Sequence, residues 1–232
     1  MKTVVFDIET VSFPWLDLDP MAREKLTRYA EDHDDYLRRK KGGALSPFTG
    51  KIIVIGMLNP DSGRGIVWFE QPDQRTSRAS ADGLFEYVGC GEAAMLADFW
   101  KNVGKFDRFV SFNGRAFDGP FLSIRSAVYG IPPSKNLVGR RFEFAAAVDL
   151  MEVLTFQGAV ARDQTPNLHA ACVAFGIPSP KSEEMHGYAV ADAYREGRLA
   201  EILDYCRRDV EATAALLARV EPTILPLLAA RR

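Results

Sequence analysis

The sequence opens on Lys2 to Phe6 (KTVVF), a β-branched and aromatic run that meets carboxylates at Asp7 and Glu9. That pattern predicts a buried strand whose C-terminal end carries polar chemistry. Val11 to Gly50 interrupts it with Pro14 and Pro20, then a helix-like run from about Met21 to Lys41, acidic over Glu31 to Asp35 and basic over Arg38 to Lys41. This segment reads as a charged insertion after the first strand. Lys51 to Leu58 (KIIVIGML) and Gly65 to Glu70 (GIVWFE) are the second and third strands, joined by the turn-forming Asn59-Pro60-Asp61-Ser62-Gly63, so the first three strands should form a meander. Gln71 to Gly83 is polar, lacks apolar periodicity and reads as a mobile loop. Glu92 to Val103 follows as a helix, Phe109 to Phe112 as a short buried strand, Phe117 to Tyr129 as a helix stopped by Gly130 and Pro132, and Phe142 to Val148 as a fifth strand. Helical patterns near Asp149 to Phe156, Asn167 to Phe175, Tyr188 to Glu196 and Leu199 to Val220 complete the chain. Strands, then alternation, then helices predict an α/β fold: a mixed sheet with helices on both faces.

Composition narrows the function classes. With 47% apolar and 26% charged residues the chain is globular in type, and 232 residues fit one large domain, 1–232, better than two. Lys plus Arg total 29 against 31 Asp plus Glu, so binding of a polyanion by bulk charge is excluded and any basic surface must be local. Arg38, Arg39, Lys40, Lys41, Arg115, Arg140 and Arg141 could supply it, and each is equally readable as part of a solvated face. Cys90, Cys172 and Cys206 form no C-x-x-C pair, which excludes a zinc ribbon and points to a reducing compartment. The apolar run Val4 to Phe6 breaks at once into Asp7, and Ile52 to Leu58 is too short to cross ~30 Å of hydrocarbon, so a cytoplasmic protein with no membrane partner is expected.

Three constellations carry candidate chemistry. Asp7 and Glu9, two apart on a strand, leave on the same face and can converge on one cation; a solvated strand end would look the same. In Ser111-Phe112-Asn113-Gly114-Arg115-Ala116-Phe117-Asp118 a short strand runs through a glycine turn into a helix. Asn113 can offer its amide to a phosphate or sugar oxygen, Phe117 can stack on a base, and Asp118 is an oxygen ligand near a positive helix N-terminus, although an ordinary first-turn carboxylate beside a core Phe fits equally. Tyr205 and Asp209, four apart, share one flank of a helix whose apolar stripe is Leu199, Ile202, Leu203, Cys206, Val210, Ala214 and Leu217. Asp149 can be an outer acid, an alternative to Asp118, or simply a helix-starting cap; His169 and His186 are read as structural.

Together, Phe6-Asp7-Ile8-Glu9-Thr10, Asn113-x-x-x-Phe117-Asp118 and Tyr205-x-x-x-Asp209 resemble the three motifs of the DEDD superfamily of 3′-to-5′ exonucleases. The tyrosine type is indicated, because the histidine type would place His where Asp204 stands. Gly50-Lys51-Ile52-Ile53 and Phe175-Gly176-Ile177-Pro178 extend the likeness toward stand-alone bacterial exonucleases related to the proofreading domain of family B DNA polymerases. The resemblance implies a ribonuclease H-like fold, a five-stranded mixed sheet with the second strand antiparallel, flanked by helices. It also implies catalytic Asp7, Glu9, Asp118, Tyr205 and Asp209, with Ile8, Thr10, Val11, Asn113, Phe117 and Tyr205 bordering the substrate.

Four like charges gathered at one point need cations, and all-oxygen ligands favour two Mg²⁺ or Mn²⁺ ions ~3.5–4 Å apart. The expected reaction is hydrolysis at the 3′ end of single-stranded nucleic acid, DNA before RNA, releasing nucleoside 5′-monophosphates. An exoribonuclease, or a binding module of the same fold that has lost turnover, are the alternatives.

Overall fold

The computed structural model describes residues 1–140, 142–181, 187 and 189–229. Its strands are β1 (Thr3–Ser12), β2 (Gly50–Asn59), β3 (Arg64–Glu70), β4 (Thr76–Ala79), β5 (Phe85–Cys90), β6 (Arg108–Ser111) and β7 (Ala147–Asp149). The helices are α1 (Pro20–Thr27), α2 (His33–Lys41), α3 (Glu92–Val103), α4 (Asp118–Val128), α5 (Leu150–Leu154), α6 (Leu168–Ala174), α7 (Val190–Arg195), α8 (Leu199–Val220) and α9 (Leu225–Ala229).

One mixed sheet runs in the order β4-β5-β3-β2-β1-β6-β7. The five strands expected from the sequence form the contiguous block β3-β2-β1-β6-β7, within which β2 is antiparallel to the rest. The sheet has seven strands rather than five because β5 adds beside β3 and β4 caps the edge. The polar stretch read as a mobile loop therefore contains a strand. β4 has no buried residue, and its four positions are held by pairing with β5 rather than by an apolar face.

Three other boundaries differ. The expected single helix from Met21 to Lys41 is two, because Asp19 and Asp32 each accept backbone N–H groups as N-caps and start separate helices. The fifth strand shrinks to β7, since Phe142 adopts φ 72° and only residues 147–149 pair with β6. The first strand continues to Ser12, so Asp7 and Glu9 stand in mid-strand. Helices α3 to α8 and the β1-β2-β3 meander fall where expected, whereas α9, five residues long, has no counterpart among the expected helices; Arg141, Tyr188 and His186 lie outside the described residues.

The strands alternate between two cores. Val4, Phe6 and Ile8 pack with Phe99 and Trp100 of α3 and with Phe121 and Leu122 of α4. Val5 and Val11 face the other way, into a cluster with Ile202, Leu203, Cys206, Val210 and Leu217 of α8. Each large apolar side chain so buried contributes ~1.5–3 kcal/mol, which lets α8 carry a buried carboxylate, Asp209, on its flank. Among the described residues no helix is long and apolar enough to cross a membrane.

Candidate active site

β1 outruns its parallel neighbour. It pairs with β6 only at Thr3, Val4 and Val5, so beyond Val5 that edge of β1 has no strand beside it. The N-terminus of α4 takes the place of a strand there: the Ile8 N–H donates to Asp118 Oδ1 at 3.0 Å. This is the crevice past the carboxyl end of β6 where the winding of the sheet reverses, a common position for sites in α/β folds.

Three elements converge on that point. Asp7, opposite Gly56, and Glu9, opposite Val54, present their carboxylates toward α8, where ligand atoms of Asp7, Glu9 and Cys206 all lie within 4.8 Å of one another. From α8, Tyr205 donates its hydroxyl to the Asp209 carboxylate four residues on. Asp118 completes the quartet from α4.

The turn that delivers Asp118 is held by Asp149. Its Oδ1 accepts the N–H of Asn113 at 2.8 Å and of Met151 at 3.0 Å, and its Oδ2 accepts the N–H of Arg115 at 3.0 Å. Asn113 sits at φ 64°, and a Cβ on Gly114 would meet Ser111 Oγ at 2.2 Å, so the turn needs the glycine. Asp149 is thus both the cap of α5 and the brace of this turn, a role its position after a strand hinted at only in part.

Burial and mutual repulsion set the electrostatics. Desolvation pushes Asp7 well above the ordinary carboxylate range, and the charges of Asp118, Asp209 and Glu9 push it further. Glu9 rises for the same reasons. Asp118 is raised to about 7, chiefly by burial and against its backbone hydrogen bonds. Asp209 also rises to about 7 by burial, although the Tyr205 hydrogen bond and the charges of Lys181 and Arg208 pull it down. Burial, then Asp209, drive the Tyr205 phenol upward, and burial, then Asp7, drive the Cys206 thiol upward, so both stay protonated.

Glu9 is 7% exposed, and among the described residues no donor reaches its carboxylate. Such a hard-oxygen quartet, with Asp118 and Asp209 each holding a hydrogen bond but Glu9 none among the described residues, fits Mg²⁺ or Mn²⁺ as counter-charge. Cys206 packs beside this group, its Sγ 4.0 Å from Asp7 Oδ2, and as a soft thiol it is the poorer partner for a hard cation.

The expected substrate contacts divide. Asn113 and Phe117 are half-buried beside Asp118, the Phe117 ring lying 5.5 Å from that of Phe121. Thr10 is also half-buried, but its hydroxyl donates to the Ala44 carbonyl at 2.7 Å. Ile8 and Val11 are core residues whose side chains are buried. Several candidate phosphate-binding cations are engaged elsewhere: Arg115 with Glu152 and the Arg140 carbonyl, Arg38 and Arg39 with Asp35, Lys41 with Asp192, and Lys40 over the Trp15 ring. Arg140 is exposed and weakly paired with Glu143 at 3.6 Å. Lys181, which no motif marks, lies close enough to lower Asp209. His169 Nδ1 bonds Ser179 Oγ at 2.7 Å.

Comparison with known proteins agrees with this architecture. Among curated proteins none matches. Among solved structures the chain resembles the family B DNA polymerase from the hyperthermophilic archaeon Pyrobaculum calidifontis, with a TM-score of 0.60 and 17% identity over 100% of this chain. It spans 27% of that polymerase's length, and the likeness supports the ribonuclease H-like fold. Residues 74–223 match a family described as predicted 3′-5′ exonucleases related to the exonuclease domain of PolB, a span that contains Asn113, Phe117, Asp118, Tyr205 and Asp209. With more than half its length matched, the chain belongs to this family of predicted 3′-5′ exonucleases related to the PolB exonuclease domain.

Proposed function

We propose that the chain is a metal-dependent exonuclease acting by a two-metal mechanism. It hydrolyses phosphodiester bonds at the 3′ end of single-stranded DNA and releases nucleoside 5′-monophosphates. The observation that carries this reading is the quartet Asp7, Glu9, Asp118 and Asp209: one half-buried and three buried carboxylates from three elements, all raised by desolvation and the first three also by neighbouring carboxylates, while Lys181 and Arg208 offset only part of the rise at Asp209. When bound, Mg²⁺ or Mn²⁺ supplies the counter-charge and the Lewis-acid activation of water and leaving oxygen that phosphodiester hydrolysis requires.

The chain's own residues bind and orient. The four carboxylates hold the metal. Tyr205, protonated and anchored beside Asp209, fixes the direction of the attacking water through its hydroxyl; a phenol raised above its usual range is not the base. Asn113 offers its amide to the terminal nucleotide, and Phe117 gives its last base a ring to stack on. Thr10, tied to Ala44, borders the terminal sugar, and the backbone at Ile8 and Val11 fixes the strand beneath it. A single-stranded end is required, because a recessed carboxylate cluster reaches a terminal phosphodiester only when its bases are unstacked. DNA is favoured over RNA by the family's relation to a DNA polymerase domain.

The test is digestion of matched 5′-labelled DNA and RNA oligonucleotides with Mn²⁺, by the wild-type chain and by Asp7→Ala. Wild-type protein should shorten DNA from the 3′ end to 5′-mononucleotides, while Asp7→Ala binds without cutting. Equal digestion by both proteins, or none by either, removes the enzyme reading; a strong preference for RNA removes the DNA substrate.

A further inference from the structure

The α8 helix packs over β2 at Gly56, a position with no side chain. Gly56 pairs directly with Asp7, so a side chain at position 56 would rise on the same face as the Asp7 carboxylate. A Cβ there would lie 2.8 Å from Cys206 Sγ, 3.1 Å from Val210 Cγ1 and 3.5 Å from the Cys206 carbonyl oxygen. Cys206 Sγ in turn rests 4.0 Å from both the backbone oxygen and Oδ2 of Asp7. Cys206 and Val210 are fully buried, and they are the chain neighbours of Tyr205 and Asp209.

We propose that Gly56 is a positioning residue for the acidic centre. Its missing side chain leaves room for Cys206 and Val210, so that α8 settles low enough over the sheet for Tyr205 and Asp209 to reach toward Asp7 and Glu9. The inference rests on the metal-centre reading and adds to it the device that brings the helix to the strand.

A methyl group at position 56 has no easy escape. The thiol cannot swing freely, since one χ1 well is disfavoured in a helix and Asp7 occupies the space beside it. The ends of α8 are held by buried Ile202 and Leu203 on one side and by Leu216, Leu217 and Val220 on the other. The strain is therefore relieved by lifting the middle turn, the one that carries Tyr205 and Asp209.

The experiment compares wild type, Gly56→Ala, Cys206→Ala and the double variant. Mn²⁺ affinity is measured by titration calorimetry, mononucleotide release by digestion, and folding by thermal melting. Gly56→Ala should bind Mn²⁺ at least ~10-fold more weakly and turn over ~10²-fold more slowly, the usual consequence of misplacing a reacting group by about 1 Å. Cys206→Ala should stay near wild type. The double variant should recover to within about threefold, because a methyl on the strand replaces a sulfur on the helix at nearly constant volume. A merely structural glycine would lower the melting temperature without changing the Mn²⁺ affinity of folded protein, and would not be rescued from the helix side. Wild-type affinity in Gly56→Ala, or a double variant no better than Gly56→Ala, overturns the proposal. Should Gly56→Ala not fold, Cys206→Leu presses on the same contact from α8, and wild-type affinity there overturns it equally. A wild-type chain that binds no Mn²⁺ overturns the metal-centre reading itself.

Discussion

Two buried groups of ionisable side chains flank the central strands, and they are built on opposite principles. Around Glu92, Oε1 accepts from the Ile52 N–H and Arg125 Nε, both at 2.9 Å, and Oε2 accepts from Arg125 Nη2 and the Tyr129 hydroxyl, both at 2.8 Å. Its charge is cancelled and its oxygens are filled. Around Glu9 burial is equal, but among the described residues no such partner reaches it and its neighbours are three more carboxylates. Burial of charge is common to both; what singles out the second is that it is uncompensated. A closed ion pair ties α3 to α4 and β2, whereas an open one waits for a cation.

Substitutions can separate the two. The largest effect expected is on turnover: Asp209→Ala should cut mononucleotide release by more than ~10³-fold, since the remaining acids cannot hold the metal in place, while the melting temperature of metal-free protein holds or rises. Glu92→Ala should do the reverse, costing about 3–5 kcal/mol of folding stability by stranding Arg125, with the Mn²⁺ affinity of the folded fraction unchanged. If Glu92→Ala weakened Mn²⁺ binding and Asp209→Ala destabilised the metal-free chain, the contrast would be void.

Tyr205→Phe comes next. It should slow turnover by about 10- to 10²-fold while leaving Mn²⁺ affinity near wild type, the split expected of a group that orients water rather than holding metal. The smallest effect concerns pH. Asp118 and Asp209 hold their protons up to about pH 7 in the metal-free fold but lose them near pH 4 when unfolded. The folded state therefore binds more protons in that window, and its stability falls as pH rises through it. Melting in EDTA should drop by a few degrees between pH 5 and pH 8, and Mn²⁺ should restore more at pH 8 than at pH 5. A melting temperature that climbs over the same range in Asp7→Asn and wild type alike would count against the repulsion.

Much of this was readable in the sequence, for physical reasons that also explain what was not. α3 and α8 carry apolar residues at helical spacing over three turns or more, so Glu92–Val103 and Leu199–Val220 are legible end to end. The acids of the site fall at motif spacings fixed by one strand face and one helix flank. β4 could not be found, because Thr76–Ala79 buries nothing and exists through its pairing to β5. The extension of β1 past Asp7 was hidden because a strand normally avoids carboxylates; tertiary context, with Asp118 capping its edge, overrides that preference. The break between α1 and α2 did have a signal, Asp32 ahead of His33-Asp34-Asp35, which the surrounding run of charge obscured. Gly56 reads as an ordinary strand glycine until the helix above it is known.

The brace at Asp149 has a consequence for how variation in this chain would be felt. One carboxylate joins the turn after β6 to the first turn of α5, two stretches of chain that are 34 to 36 residues apart on the bonds Asn113 and Arg115 make to it. Losing it would unfasten the loop that aims Asp118, and the deficit would surface as failed chemistry even though the altered side chain never meets the polynucleotide.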